Sequence, residues 1–208
     1  SYVLFSLNQE QLSRTIFPLG SVTKDYVRQV AKDLRLKTKD KPESQDICFV
    51  LDNNYHTLLY ERYGSSITPG TLKDTRGNIL GKHPGVPFFT IGQRKGMGVA
   101  LGTPRYVIDI NPQENTVVIG TSDELMQDEL VASAVNWISL DKLRAPLWVE
   151  AKIRYHHSPS PATVYPYDQD KVRVVFESPQ RAITPGQAVV FYHEDVVVGG
   201  GWIERKNT

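Results

Sequence analysis

The sequence is nearly without cysteine: Cys48 is the only one among 208 residues. A lone thiol cannot close an intramolecular disulfide, so a disulfide-stapled secreted scaffold is excluded. The thiol is then either inert packing or a reactive group whose partner lies elsewhere. An excess of one charge is lacking too. Twenty-four Lys and Arg face 23 Asp and Glu, a formal net charge of +1, which does not by itself point to nucleic acid. No apolar run approaches the roughly 20 residues of a membrane-spanning helix, and no signal-peptide pattern opens the chain. The expected location is a reducing compartment, the cytoplasm by default.

What is present reads as an ordinary globular protein, 40% apolar and 23% charged, long enough for one large domain or two small ones. Charge is unevenly spread. Between Asp74 and Asp109 stand five basic residues, Arg76, Lys82, Arg94, Lys95 and Arg105, and no acidic one; from Lys24 to Lys41 seven basic residues face three acidic. Such stretches are suited to neutralising phosphates, and equally to forming a solvated face.

The first third has helical periodicity. Residues 9–17 space Leu12, Ile16 and Phe17 on one face before Pro18. Thr23 is placed to cap a second helix whose apolar face is Tyr26, Val27, Val30, Ala31 and Leu34. A third helix is predicted over 54–63, stopped by Gly64. Beyond it, Gly and Pro become frequent and short alternating runs take over. Residues 105–110 and 116–119 predict a hairpin across Asn111-Pro112-Gln113-Glu114-Asn115. About six strands are expected from 128 to 205, among them 148–155, 162–167, 172–176, 188–192 and 196–203, a spacing that suggests a closed barrel. The fold class is therefore α+β: a helical segment at 1–64, a small β-rich central domain at 65–127, and a roughly six-stranded antiparallel β-barrel at 128–208.

Cys48 sits in Pro42-Glu43-Ser44-Gln45-Asp46-Ile47-Cys48-Phe49-Val50. Ile47, Phe49 and Val50 suit a buried strand, in which a free Cys is a small hydrophobe. The polar lead-in, with Lys39 and Lys41 before it, suits a loop at a solvent-accessible site, and nearby cations favour a thiolate. The residues alone leave both open. Gly92-Gln93-Arg94-Lys95-Gly96-Met97-Gly98 lets backbone approach a ligand closely while Arg94 and Lys95 meet phosphates, or it is a tight turn between strands. It lacks the spacing of a Walker phosphate loop. His156-His157 point to opposite faces of a strand and have no Cys/His partners in sequence, so no metal is expected. His83 is assigned no role.

Ser44-Gln45-Asp46-Ile47-Cys48-Phe49 resembles the second active-cysteine motif of the bacterial tRNA-specific 2-thiouridylases. The opening twenty residues, Ser-Tyr-Val-Leu-Phe-Ser-Leu through Pro18-Leu19-Gly20, are similar to the segment preceding that motif. His83-Pro84-Gly85, the stretch from Phe89 to Gly98, Thr103-Pro104-Arg105-Tyr106-Val107, Ile153-Arg154-Tyr155 and Thr184-Pro185-Gly186-Gln187-Ala188-Val189 follow in family order. The family's Ser-Gly-Gly-x-Asp-Ser phosphate loop and its earlier cysteine are missing. The expectation is a carboxy-terminal portion of such an enzyme, its helical segment the tail of an α/β catalytic domain.

The resemblance implies tRNA modification: ATP, with Mg, activates the C2 oxygen of the wobble uridine, a Cys48 persulfide attacks C2, and AMP leaves. It implies tRNA-binding roles for Arg154, Tyr155 and Gln187, to which the basic pair Arg94 and Lys95 is added. Partners would be tRNAs for lysine, glutamate and glutamine, and a sulfur donor such as a cysteine desulfurase or sulfur-carrier protein. The ATP site would lie largely outside this chain, which alone would not turn over. The alternatives are a non-catalytic RNA-binding β-barrel module in which Cys48 is structural, and a protein-interaction domain docking a sulfur carrier.

Overall fold

A computed structural model describes residues 2–41, 55–99, 102–168 and 170–206. Cys48 and its motif lie outside the described residues. By packing, Ser1–Gln9 and Ser65–Thr208 form one unit and Glu10–Gly64 a second.

In the larger unit, four strands make a mixed sheet of order β2-β1-β4-β3: β1 (Gly70–Asp74), β2 (Ile79–His83), β3 (Tyr106–Asn111) and β4 (Thr116–Gly120). β3 and β4 form the predicted hairpin. Its loop is closed by the Asn111 side chain, which accepts from Glu114 N at 3.1 Å, and by Asn115 in the left-handed region at φ 49°, a conformation Asn tolerates. β1 joins β4 in parallel from Thr71 opposite Thr116 to Asp74 opposite Ile119. Leu72, Val107, Val117 and Ile119 are buried.

The second sheet closes on itself as β10-β5-β8-β7-β6-β9. Its strands are β5 (Met126–Trp137), β6 (Leu147–Lys152), β7 (Ser160–Asp168), β8 (Lys171–Arg181), β9 (Ala188–His193) and β10 (Val196–Ile203). Every neighbouring pair is antiparallel. Alternate residues such as Val149 and Ala151, Ala162 and Val164, Val172, Val174 and Phe176 fill the interior, as the period of two requires. Trp137 stacks on Phe191 at 5.8 Å and 28°. Closure leaves no unpaired sheet edge. The expected strand 148–155 stops at Lys152, because residues 153–157 turn, with His157 N donating to Arg154 O at 3.1 Å.

Tyr2–Ser6, a short 3-10 turn, packs on the outside of this barrel. Phe5 lies with Ala188 and Val190 and meets Trp202 edge-on at 5.7 Å. The Asn136 side-chain amide donates to Phe5 O at 2.6 Å and Leu7 O at 2.9 Å, and the Gln9 amide donates to Ile138 O at 2.7 Å.

The second unit is helical. α1 (Gln9–Ser13) is shorter than the predicted 9–17. Pro18 disfavours helix at the residue before it, and Ile16 and Phe17 are exposed, so no burial holds further turns. α2 (Lys24–Asp33) begins as predicted, with Tyr26 N donating to the Thr23 hydroxyl at 3.3 Å. α3 spans Tyr55–Tyr63.

Phe5→Ala should cost the larger unit about 3 kcal/mol, the usual cost of removing a buried ring, since Phe5 is 4% exposed. Urea unfolding followed by Trp fluorescence measures it. A loss under about 1 kcal/mol would mean that residues 2–9 are not packed on the barrel.

Candidate nucleic-acid interface

β6 alternates inward Ala151 with outward Lys152, and the chain then turns through Ile153, Arg154 and Tyr155. Ile153 is buried and anchors this turn. Arg154 Nη2 donates to Arg181 O at 3.0 Å, so its guanidinium is oriented by the end of β8. Tyr155 is 63% exposed. Its ring meets Tyr2 at 6.1 Å and 71° and His156 at 4.7 Å and 77°. Lys152 Nζ stands 5.7 Å from the Tyr155 ring centre and 5.9 Å from that of Tyr2, within cation–π range. Tyr2 is fixed by its hydroxyl, which donates to Ala188 O at 2.7 Å. Burial, helped by Tyr192, pushes that hydroxyl up to about 12, so it stays a donor at physiological pH.

Gln187 follows Gly186 (φ 83°) in the turn before β9. Its backbone is committed: its N–H donates to Thr184 O at 3.2 Å and its carbonyl accepts from Ile203 N at 2.8 Å. The neighbouring Ala188 carbonyl is the one that holds Tyr2, while Gln187 itself is not among the residues lining the cleft at Tyr2 and Tyr155.

The stretch 92–98 is a loop beside β3. Gly92 N donates to Val107 O at 2.8 Å, and Val107 N donates to Gln93 O at 2.9 Å. The Gln93 side chain accepts from Thr90 N at 3.0 Å and donates to Lys95 O at 2.9 Å. This bracing leaves Arg94 and Lys95 exposed. A Cβ on Gly92 would lie 3.1 Å from the Ala182 Cβ, so the loop presses on the turn after β8. The preceding Arg181 holds Arg154 through its carbonyl and lays its guanidinium 4.8 Å from the centre of the Tyr106 ring. The Arg94-Lys95 loop and the Arg154-Tyr155 turn therefore share one neck, Arg181-Ala182. Arg181, Tyr106, Lys152 and Tyr2 escaped the sequence reading. Lys152 had a signal, its outward place in an alternating strand; Tyr2 had none, being 150 residues away from its neighbours.

Among the described residues no group of three His, Cys, Asp or Glu is placed to hold a metal ion. In the 92–98 loop the amides of Gly92 and Gln93 are bonded within the protein, so those two are not free to cradle a phosphate. No described helix is long and apolar enough to cross a membrane.

This chain combines a closed barrel carrying an aromatic and basic face with a second small sheet. Three family models match it: a tRNA methyl transferase HUP domain over residues 1–52, a tRNA methyl transferase PRC-barrel domain over 57–121, and an aminomethyltransferase beta-barrel domain over 127–203. The chain is 52% identical over 205 residues to the tRNA-specific 2-thiouridylase MnmA of Desulforamulus reducens, covering 99% of this chain and 56% of that protein. To the protein of the same name from Clostridioides difficile it is 50% identical over 205 residues, 99% of this chain and 57% of that one. That from Carboxydothermus hydrogenoformans is 52% identical over 206 residues, 99% and 56%. The chain belongs to the tRNA-specific 2-thiouridylase family, and spans a little over half the length of these relatives.

His83 lies away from any accessible surface, 2% exposed and edge-on to Phe89 at 5.2 Å. Burial holds its pKa below the usual value, the Asn115 backbone offsetting part of this. The folded state thus binds the proton less readily than the unfolded one. The His83 contribution to stability is full above about pH 6.5, the ordinary histidine value, and is lost as the pH falls below it. His157 is shifted the same way, chiefly by burial. A His83→Gln variant should therefore lose less stability than the parent between pH 7 and 5, without becoming flat. Urea midpoints across that range check this, and identical slopes would refute it.

Proposed function

We propose that these residues are the sulfur-accepting and tRNA-holding part of an ATP-dependent sulfurtransferase that 2-thiolates the wobble uridine of tRNA. One observation carries this: the chain's single cysteine falls in a stretch, Ser44–Phe49, that resembles the family's active-cysteine motif, and 99% of this chain aligns with a family member. Cys48 takes a sulfur atom from a donor, a cysteine desulfurase or a sulfur-carrier protein, and becomes Cys–S–SH. The outer sulfur of a persulfide is a stronger nucleophile at neutral pH than a thiol, which suits it to attack at C2 of an activated uridine. Activation by ATP and Mg falls to groups outside the described residues, and the 208 residues alone do not turn over. Arg154, Tyr155 and Gln187 on the barrel, with Arg94 and Lys95 on the central sheet, hold the RNA. Arg forks onto phosphate, Tyr stacks, and Gln bonds to a base edge or 2′-hydroxyl. The division of labour follows 1–64 for sulfur, and 65–127 and 128–208 for tRNA.

A second reading, an RNA-binding module without sulfur chemistry, is favoured by the aromatic and basic group of Tyr2, Lys152 and Tyr155, which is built without Cys48.

Incubation with a cysteine desulfurase and cysteine, followed by intact mass, separates the two. Sulfur acceptance adds about 32 Da, the gain vanishes with thiol reductant, and Cys48→Ser abolishes it while leaving tRNA affinity unchanged. Absence of any reducible gain, with tRNA binding intact, would leave the binding-module reading in its place.

A further inference from the structure

The β6–β7 turn borders a cleft of about 440 Å³ lined by Tyr2, Lys152, Tyr155, His156, Pro159 and Tyr192. That is within the roughly 300–1,000 Å³ of ligand pockets. No carboxylate lines it. Four other hollows on the described surface each carry Asp or Glu: Glu129 and Glu204 in one, Asp74 and Glu124 in another, Asp141 and Asp168 in a third, Asp141 in the fourth. Three of those four also carry Arg or Lys, so what sets this cleft apart is a cation with no carboxylate beside it in the lining.

Its aromatic side is fixed. Tyr2 is tied down through its hydroxyl and Tyr155 rests edge-on against Tyr2 and His156, yet Tyr155 keeps most of its surface open. An exposed ring held by two neighbours is a stacking surface whose ordering is already done before a ligand arrives. Lys152 sits in the corner between the two rings, with no ion pair to a carboxylate among the described residues. A stacking ring beside an uncommitted cation is the pairing that single-stranded nucleic acid uses, base on ring and phosphate on ammonium. A base stacked inside a helix has both faces covered by its neighbours, so the chemistry selects an unstacked one.

We propose that this cleft takes one unstacked nucleotide of the bound RNA, its base on Tyr155 and its flanking phosphate at Lys152, with Tyr2 from the N-terminal segment forming the second wall. The proposal rests on the tRNA reading above and adds Lys152 and Tyr2 to its binding residues.

The test is fluorescence anisotropy of the full 208-residue chain with unmodified tRNA and with a labelled twelve-nucleotide single-stranded RNA, over a range of salt. Tyr155→Ala should weaken both by about tenfold or more, the loss of one stacked base, while Tyr155→Phe retains the ring and recovers most of the affinity. Lys152→Gln should weaken both and flatten the salt dependence for the single strand by about 0.7, one phosphate contact. Thermal melts of each variant matching the parent's exclude unfolding as the cause. If the parent binds tRNA and Tyr155→Ala binds it equally well, the cleft is empty of RNA and the proposal falls while the tRNA reading stands. If Tyr155→Phe is as weak as Tyr155→Ala, a hydroxyl contact replaces stacking and the proposal is overturned. If the parent binds neither RNA, the tRNA reading itself fails.

Discussion

Closure of the barrel by β10 is the constraint on which the rest depends, and three consecutive glycines make it feasible. A Cβ on Gly199 would lie 2.6 Å from Asn136 O, one on Gly200 2.7 Å from Val189 O and from the Phe5 ring, and one on Gly201 2.8 Å from Ser133 O. No side chain tolerates such distances, so β10 approaches β5 and β9 as only bare backbone can. Register shifts on both sides of the same stretch bend the strand as it closes, the usual effect of bulges at a barrel wall.

That close approach does two things for the site. It opens a seat for Phe5 over Gly200, which registers the N-terminal segment on the barrel and brings Tyr2 to Ala188 and Lys152. It also fixes β9, whose partner β6 ends at Lys152 and launches the Arg154-Tyr155 turn. On the other side, β8 ends at Arg181, whose carbonyl orients Arg154 and whose side chain lies on Tyr106 of the central sheet. The groups proposed to meet RNA are thus mounted on strand ends, positioned by a rigid scaffold and held short of freedom by neighbours.

Much of this was legible in the chain. β6 to β10 show in the alternation of small and branched apolar residues, and the β3–β4 hairpin in its Asn-Pro-Gln-Glu-Asn loop. β5 did not show: its twelve residues, Met-Gln-Asp-Glu-Leu-Val-Ala-Ser-Ala-Val-Asn-Trp, break the period of two, and Ala134 at φ 48° interrupts the strand. The α1 extension to Phe17 was over-read because helical spacing says nothing about whether a surface exists to bury the face. Arg154, Tyr155 and Gln187 were proposed through motif resemblance, and Arg94 and Lys95 from their charge within a glycine-rich stretch. Tyr2 and Lys152 were not, since their meeting depends on the barrel closing and no local pattern encodes it.

Amide hydrogen exchange of the chain with and without saturating tRNA tests the central claim most directly, because it reports each backbone segment separately. The account predicts slowed exchange at residues 152–157, 181–187 and 92–98, the three stretches that share the Arg181-Ala182 neck. Slowing confined to the acidic hollow around Asp141 and Asp168, or absent from all three stretches while tRNA is bound, would contradict it.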